Sequence, residues 1–421
     1  MSASNHVLLS AFTIAGGSLS ALNSGEGYGN VITLKKYSQG RQAYPYISGQ
    51  SIRFALRNAI REHVGSNNAC IYDEDGHSCG KPQTCALCDL MGFMKAEAKP
   101  KTEKKLKDEI KALEAKLEDA KGKDKESKKL QEDIALLNAA VPAAKRREEL
   151  SKNVKTKRKK LKAALQKPGT LSDDQIKNLK NEIEASLQDL DQLNPRDKRQ
   201  SPLQVSPLMG IVPLEDSLVT DFLTCEKPGT QDKAIVNIEA SKNVYMGSWA
   251  LDIRRIGFYD LLDPVTQTMT WQAIYKNSDT EFDTEKRNKR IVALLNAFRN
   301  LSGFAKQARM MDSLEADIVV FCLSPIYSHL LIKLAHGTFA KKGIVQINKD
   351  LWEQVIGDLR ASGAQFFTGI RKGFLPSDVE KELTTVFSKE ELVGSPYEAF
   401  NKVANLFSVT NNEENRNGSI T

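Results

Sequence analysis

The chain has 421 residues, 40% of them hydrophobic, and carries 60 Lys and Arg against 53 Asp and Glu, a net charge of +7. That length buries a large core in one to three domains, and the positive balance suits a polyanionic partner without requiring one. No apolar run reaches the ~18 residues of a membrane span, and six cysteines in so long a chain do not make a disulfide scaffold, so a reducing cytoplasm is the expected compartment.

The first residues, MSASNHVLLSAFTIAGG, lack a basic leader and are not read as a signal peptide. HVLLSAFTIA predicts an apolar first strand over about residues 6–15. Residues 27–61 then hold no Asp or Glu. Lys35, Lys36, Arg41, Arg53, Arg57 and Arg61 interleave there with Tyr28, Tyr37, Tyr44, Tyr46 and Phe54. Cations for phosphates and flat faces for unstacked bases are what a single-stranded nucleic acid needs. A solvated basic helix face behind a polar loop has the same composition. Ile47-Ser48-Gly49-Gln50-Ser51 supplies a capping hydroxyl, and Ile52, Leu56, Ala59 and Ile60 recur at helical spacing, which predicts a loop running into a helix over 51–64. Backbone N–H groups at such a helix start attract phosphate.

Cys70, Cys79, Cys85 and Cys88 follow within 19 residues, the last two as C-x2-C. Four soft ligands in a loop rich in Gly, Pro and Asp fit a closed structural Zn(2+) site in an insertion over 65–93, with His77 as a substitute for Cys70 or Cys79. Unrelated cytosolic thiols are the alternative. Cys225 and Cys322 read as ordinary thiols.

Composition changes near 95 and again near 199. The stretch between is free of aromatics and carries 29 Lys and Arg against 20 Asp and Glu, a net of +9 that leaves about −2 for the rest. Leu106, Ile110, Leu113 and Leu117 step by heptad spacing, as do Leu130, Ile134, Leu137 and Val141. Pro142 suits the first turn of a new helix through Leu150, Val154, Leu161 and Leu165. Pro168-Gly169 breaks that helix, and Ser172 caps another with Ile176, Leu179, Ile183, Leu187 and Leu190 before Pro195. This predicts a coiled-coil helical insertion over 95–199: an antiparallel hairpin plus a third helix. Its first arm, 103–140, would be about 55 Å long, bent or opened at Gly122.

Further on, Val244 to Tyr259 reads as a strand, Lys286 to Leu301 as a helix with Ile291, Leu294, Leu295 and Phe298 on one face, and Asp317 to Leu323 as a buried strand. The predicted fold class is α+β: an RRM/ferredoxin-like core (palm) over 1–93 and 200–410 built on a split β-α-β order, with a zinc-binding finger insertion and a long helical arm. The polar tail 411–421 reads as disordered.

PYISGQSIRFALR (Pro45 to Arg57), preceded by ALNSGEGYGNV, resembles the repeat-associated RAMP superfamily of CRISPR proteins. CALCDLMG (Cys85 to Gly92) is similar to the zinc-binding finger of backbone subunits in that group. Asn237 to Asp260 and Leu301 to Pro325 resemble the DevR-type branch, the Cas-seven backbone subunit of a type I-B Cascade. The resemblance covers about 1–93 and 200–335, in family order; the coiled-coil arm departs from it.

The resemblance implies a non-catalytic antiviral-defence subunit, a helical oligomer of further copies of itself along a CRISPR RNA. Such a subunit joins other Cascade subunits and presents the spacer to target DNA, holding backbone while base pairing reads sequence. Its RNA contacts would be Lys35, Lys36 and Arg41 from the first loop, Gln50, Ser51, Arg53 and Arg57 from the helix start, and Lys306, Gln307 and Arg309 from the loop after the second helix. Arg53 or Arg57 could serve an internal ion pair instead. A thumb would lie within 200–240, with Leu208, Met209 and Ile211 as wedge residues. Phe304 stands where the family often has Gly.

Three other readings compete. A type III-like metal-dependent target-RNA ribonuclease needs a carboxylate that 27–61 lacks. A CRISPR RNA-processing endonuclease often uses His; His6, His63, His77, His329 and His336 are present, the last two in apolar context. A coiled-coil scaffold would make the α+β part a carrier.

Overall fold

The computed structural model describes residues 6–22, 24–28, 31–74, 77–94, 101–119, 124–167, 170–193, 198–226, 233–262, 269–275, 282–302, 304 and 310–408. In chain order these form β1 (Leu8–Ser20), β2 (Ser24–Tyr28), β3 (Val31–Leu34), β4 (Lys36–Gln39), β5 (Gln42–Ile47), α1 (Gly49–Val64), α2 (Ala86–Met91) and β6 (Phe93–Met94). Next come α3 (Glu103–Asp119), α4 (Asp124–Gln166) and α5 (Asp173–Leu193), then β7 (Lys198–Arg199), β8 (Leu203–Val205), β9 (Leu208–Gly210) and α6 (Leu214–Ser217). β10 (Leu218–Glu226), β11 (Lys233–Asp252), β12 (Phe258–Leu262), β13 (Met269–Ala273), α7 (Thr284–Arg299) and β14 (Ile318–Ser324) follow. The chain closes with β15 (Thr338–Lys341), β16 (Ile344–Ile347), α8 (Lys349–Ala361), β17 (Gln365–Ile370), α9 (Ser377–Val386), β18 (Leu392–Gly394) and α10 (Pro396–Asn405).

A mixed sheet organises the α+β part. β1 pairs antiparallel with β14 on one side and β11 on the other, and β8 and β9 pair antiparallel with the far edge of β11. β17 and β18 extend the sheet beyond β14, and β5 and β4 extend it beyond β9. Both faces are covered, which is why β1 and β14 read as nearly continuous apolar runs. The pleat alternates: Leu9, Ala11 and Ala15 of β1 join Val319, Phe321 and Leu323 of β14 in one core with α1, α7 and α10. Phe12 and Ile14 join Ile318, Val320 and Cys322 in a second core with α8 and α9. α1 enters the first core through Ile52, Ala55, Leu56 and Ile60, one face of a 3.6-residue helix. Trp249 of β11 stacks on Phe298 of α7 with ring centroids 4.3 Å apart.

Several expected elements change shape. The basic stretch before α1 is not a loop: β4 and β5 form a hairpin whose two-residue turn places Gly40 at φ 63°. The strand expected over 244–259 is two: β11 ends at Asp252, whose carboxylate accepts from Arg254 N at 3.1 Å and turns the chain through a single 3-10 turn before β12. The expected first strand continues to Ser20. The segment 338–408, whose pattern predicts no element above, supplies two short strands, three helices and two further sheet strands.

In the arm, no new helix begins at Pro142. The proline lies inside the 43-residue α4, about 64 Å long at 1.5 Å per residue. It forfeits the bond to the Asn138 carbonyl, a cost reduced here because both residues are solvent-exposed. α3 covers the first part of α4: Glu103 N donates to Glu148 Oε1 at 2.9 Å, and Arg147 donates to the Lys101 carbonyl at 2.8 Å. α5 covers the second part, with Lys157–Glu182 at 2.9 Å and Arg146–Asp189 at 3.7 Å. Val154, Leu161 and Ile183 form its core, flanked by Ile176, Leu179, Leu187 and Leu190. Two helical hairpins thus share α4 and meet near Ala144, and β6 pairs with β7 across the base of the insertion. Gly122, Pro168, Gly169, Pro195 and the tail 411–421 lie outside the described residues.

Candidate nucleic-acid interface and metal centre

The β4–β5 hairpin carries the first basic residues. Lys36 and Arg41 are exposed and Lys35 is half-buried. Tyr37 and Tyr44 pair across the strands and stack at 5.4 Å, so each ring covers one face of the other. Burial and the neighbouring Tyr44 raise the Tyr37 phenol above its usual pKa. Tyr46 is half-buried, and the Tyr28 side chain lies outside the described residues. The hairpin is fixed to the sheet through β9, where a Cβ on Gly210 would sit 2.8 Å from the Pro45 ring.

The hairpin runs directly into α1. Ser48 is the N-cap and its hydroxyl accepts from Ser51 N at 3.3 Å; no acidic residue occupies the first turn. Gln50 is exposed beside these amides and Ser51 is half-buried. Arg53 faces inward. Its guanidinium donates to Met91 O at 2.5 Å, Leu203 O at 3.1 Å and Ser201 Oγ at 3.3 Å. The alternative of an internal ion pair has the right direction and the wrong partner: carbonyls, not a carboxylate. Arg57 stacks over the Tyr72 ring at 4.6 Å.

Lys306, Gln307 and Arg309 lie outside the described residues, but the chain after them is fixed. Met310 packs against the cluster of Ala21, Leu34, Leu214 and Ile238, with Ile32 and Ala43 alongside. Asp312 accepts from Ser18 N at 2.9 Å and Ser20 Oγ at 2.7 Å. The chain at Met310 is therefore held beside Leu34, where β3 leads into the hairpin. Phe304 is 6% exposed in the first core, so its ring does not stand at that surface.

The fold also brings carboxylates that the local sequence does not contain. Glu239 of β11 accepts from Leu34 N at 2.9 Å and lies 4.0 Å from Lys36 Nζ; Glu215 accepts from Ala43 N at 3.4 Å. Leu208 and Ile211, expected as wedges, are buried, and Met209 is half-buried in β9. Exposed apolar residues of that region sit instead on the β10–β11 hairpin, where Phe222 is 68% exposed.

The four cysteines converge. The Sγ atoms of Cys70, Cys79, Cys85 and Cys88 lie within 4.8 Å of one another, with Cys79–Cys88 at 3.5 Å and Cys70–Cys88 at 3.9 Å. Tetrahedral Zn–S bonds of about 2.3 Å require S–S separations of about 3.8 Å, so the donor set fits that ion. The C-x2-C spacing works because Cys85 caps α2 and Cys88 lies in its first turn; Cys85 Sγ accepts from Cys88 N and Cys70 N, each at 3.4 Å. Sharing protons with Cys70 and Cys88 holds the Cys85 thiol well below its usual pKa; its hydrogen bond to Cys85 pushes Cys70 up to about 11. His77 is not among the converging donors: its backbone N–H donates to Asp73 Oδ1 at 2.6 Å, and its imidazole Nδ1 lies 3.6 Å from Asp73 Oδ2.

Sequence reasoning missed Asp89, next to Cys88. It is fully buried, with Arg199 and Arg290 each at 2.7 Å, Gly257 N at 3.1 Å and Tyr275 Oη at 3.2 Å. Arg290 also donates to Pro82 O at 2.8 Å, and Arg199 to Arg255 O at 2.6 Å and Phe258 O at 2.7 Å. One carboxylate thus ties the cysteine segment to the end of the arm, to α7 and to the turn after β11. Burial raises the Tyr275 phenol and lowers the Arg199 guanidinium. The available signal was a lone acid inside an apolar cysteine segment. Gly92 ends α2 at φ 65°, and a Cβ there would overlap the Arg199 carbonyl.

The family model described as CRISPR-associated negative auto-regulator DevR/Csa2 matches residues 135–334, just under half of the chain. It takes in part of the arm and none of the hairpin or cysteine segment. No curated protein matches. Among solved structures, the chain resembles one from a CRISPR RNA-guided surveillance complex, with TM-score 0.41, 10% identity and coverage of 90% of this chain and 100% of that one. A second, from such a complex described as pre-nicking, gives TM-score 0.38 and 11% identity over the same shares. No described helix is long and apolar enough to cross a membrane.

Proposed function

We propose that this chain is a non-catalytic CRISPR RNA-binding backbone subunit of the DevR-type (Cas-seven) branch, working in a type I-B Cascade. Copies stack along the guide and present its spacer for pairing with target DNA. One observation carries the reading: the basic hairpin runs directly into the uncompensated start of α1, and Met310 packs in the cluster that holds Leu34 and Ala43 of the same segment. The DevR/Csa2 match supports it. The strand order β14–β1–β11–β8/β9, with α1 after β1 and α7 before β14, supports an RRM-type core over 1–93 and 200–410.

In this reading Lys35 and Arg41 neutralise phosphates, Lys36 does so in competition with Glu239, and the amides around Gln50 and Ser51 add helix-start donors. Arg57 keeps guanidinium N–H groups for RNA while its face rests on Tyr72. Arg53 supports the fold rather than the RNA. Lys306, Gln307 and Arg309 are proposed as further phosphate contacts on their charge and on the resemblance alone. The thumb is the β10–β11 hairpin, with Phe222 as its wedge. Four thiolates of the 65–93 finger hold a structural zinc, which supplies a cross-link and no chemistry.

Glu215 and Glu239 beside the hairpin keep the metal-dependent nuclease as the second reading, although each carboxylate accepts a backbone N–H. The test incubates the protein with labelled CRISPR and target RNAs and Mg²⁺ or Mn²⁺. Binding without scission is the expected result. Site-specific scission that is lost in Glu239→Gln would replace the backbone reading with the nuclease.

A further inference from the structure

The second hairpin of the arm carries a cationic face that no other described element covers. Residues 151–162 of α4 contain seven Lys or Arg and no Asp or Glu. Lys157 pairs with Glu182 across to α5. Lys155, Arg158, Lys159 and Lys162, with Ser151, Val154, Leu187 and Leu190, line a groove of about 420 Å³. None of these four cations has an acidic partner among the described residues; Lys155, Lys159 and Lys162 are exposed. At 3.6 residues per turn the four fall within an arc of about 100° and span about 10 Å along the axis.

That arc continues a face already used. Ala144 and Glu148, which lie on it, are covered by the start of α3: Ala144 is buried and Glu148 accepts from Glu103 N. α3 begins at Glu103 and goes no further toward Lys155, so the same face continues beyond it as a row of cations with no acidic partner among the described residues. The row carries no apolar residue, which an amphipathic helix would need. Residues 95–199 contain no aromatic residue, so the arm has no platform for unstacked bases. A duplex needs neither; its phosphates need only a straight row of charge.

We infer that the face of α4 formed by Lys155, Arg158, Lys159 and Lys162 is a sequence-independent binding site for the phosphate backbone of double-stranded nucleic acid. It goes beyond the guide-binding role and can fail separately from it. The test measures binding of the full-length protein to a mixed-sequence DNA duplex, an RNA duplex and a single-stranded RNA across a salt series. The variant combines Lys155→Gln, Arg158→Gln, Lys159→Gln and Lys162→Gln, all helix-compatible. Its duplex salt slope should fall by about 3 to 4, near 0.9 per lost phosphate contact, with single-stranded RNA binding unchanged. The DNA and RNA arms identify which duplex the face prefers. If helicity falls, the pair Lys155→Gln and Lys159→Gln should give about half the change. Duplex binding that is absent in the parent, unaltered in the variant, or reduced no more than single-strand binding overturns the proposal. So does loss of affinity for poly-glutamate alone, which would assign the face to an acidic protein. Failure of the guide-binding role is read separately, from the Lys35, Lys36 and Arg41 variant on single-stranded RNA.

Discussion

Replacing Asp89 by alanine should damage the molecule more than any surface change. Asp89 is wholly enclosed and faces two guanidiniums that are themselves almost completely buried. Its loss leaves Arg199 and Arg290 without counter-charge, although their carbonyl partners at Phe258, Arg255 and Pro82 remain. Breaking a buried pair by removing one partner costs about 3–5 kcal/mol. The retained carbonyl bonds place Asp89→Ala near the middle of that range, at about 4 kcal/mol. With a urea slope of about 3 kcal/mol per molar, the midpoint should fall by about 1 M. Equilibrium urea unfolding followed by tryptophan fluorescence reads this directly, since Trp249 stacks inside the first core. Combining Asp89→Leu with Arg199→Met and Arg290→Leu should recover most of the loss, because charge and counter-charge leave together. A loss under about 1 kcal/mol for Asp89→Ala would refute the claim that this carboxylate joins finger, arm and core.

Four further outcomes follow from the same geometry. Metal analysis of protein purified without chelator should find about one zinc per chain, and Cys88→Ala should lose it; zinc retained in that variant would reject the four-thiolate site. Changing Lys35, Lys36 and Arg41 together to alanine should lower the salt slope of single-stranded RNA binding by about 2, near 0.7 per lost contact, or by about 1.4 if Glu239 already neutralises Lys36. Arg53→Ala should lower the melting temperature and leave RNA affinity within about twofold, because its donors are spent on Met91, Ser201 and Leu203; the reverse pattern would return Arg53 to the interface. Excising 100–195 should keep cooperative unfolding, because Met94 and Lys198 already face each other in the β6–β7 pair; a broad, non-cooperative transition would make the arm part of the core.

What the sequence disclosed depended on how local the causes were. The C-x2-C pair and its two upstream cysteines were legible because one helix turn and one loop bring them together. The acid-free stretch 27–61 was legible as composition but not as shape. Tyr37 and Tyr44 flank Gly40 with strand-like alternation, yet the polar run reads equally as a loop until β9 pairs with β5. Pro142 reads as the first turn of a new helix, yet it lies inside α4, where solvent reduces the cost of the lost bond. Arg53 and Asp89 were beyond reach: their partners come from residues 91, 199–203, 257, 275 and 290, joined only by the tertiary fold. The same holds for Glu239, which enters the basic hairpin from β11.

The most direct measurement isolates the protein under native, nuclease-free conditions, together with its companion subunits, and sizes the RNA it carries. The account predicts multiple protomers on short RNA of uniform length, released intact by protease and depleted in the Lys35, Lys36 and Arg41 variant. A monomer free of nucleic acid at physiological salt would contradict it.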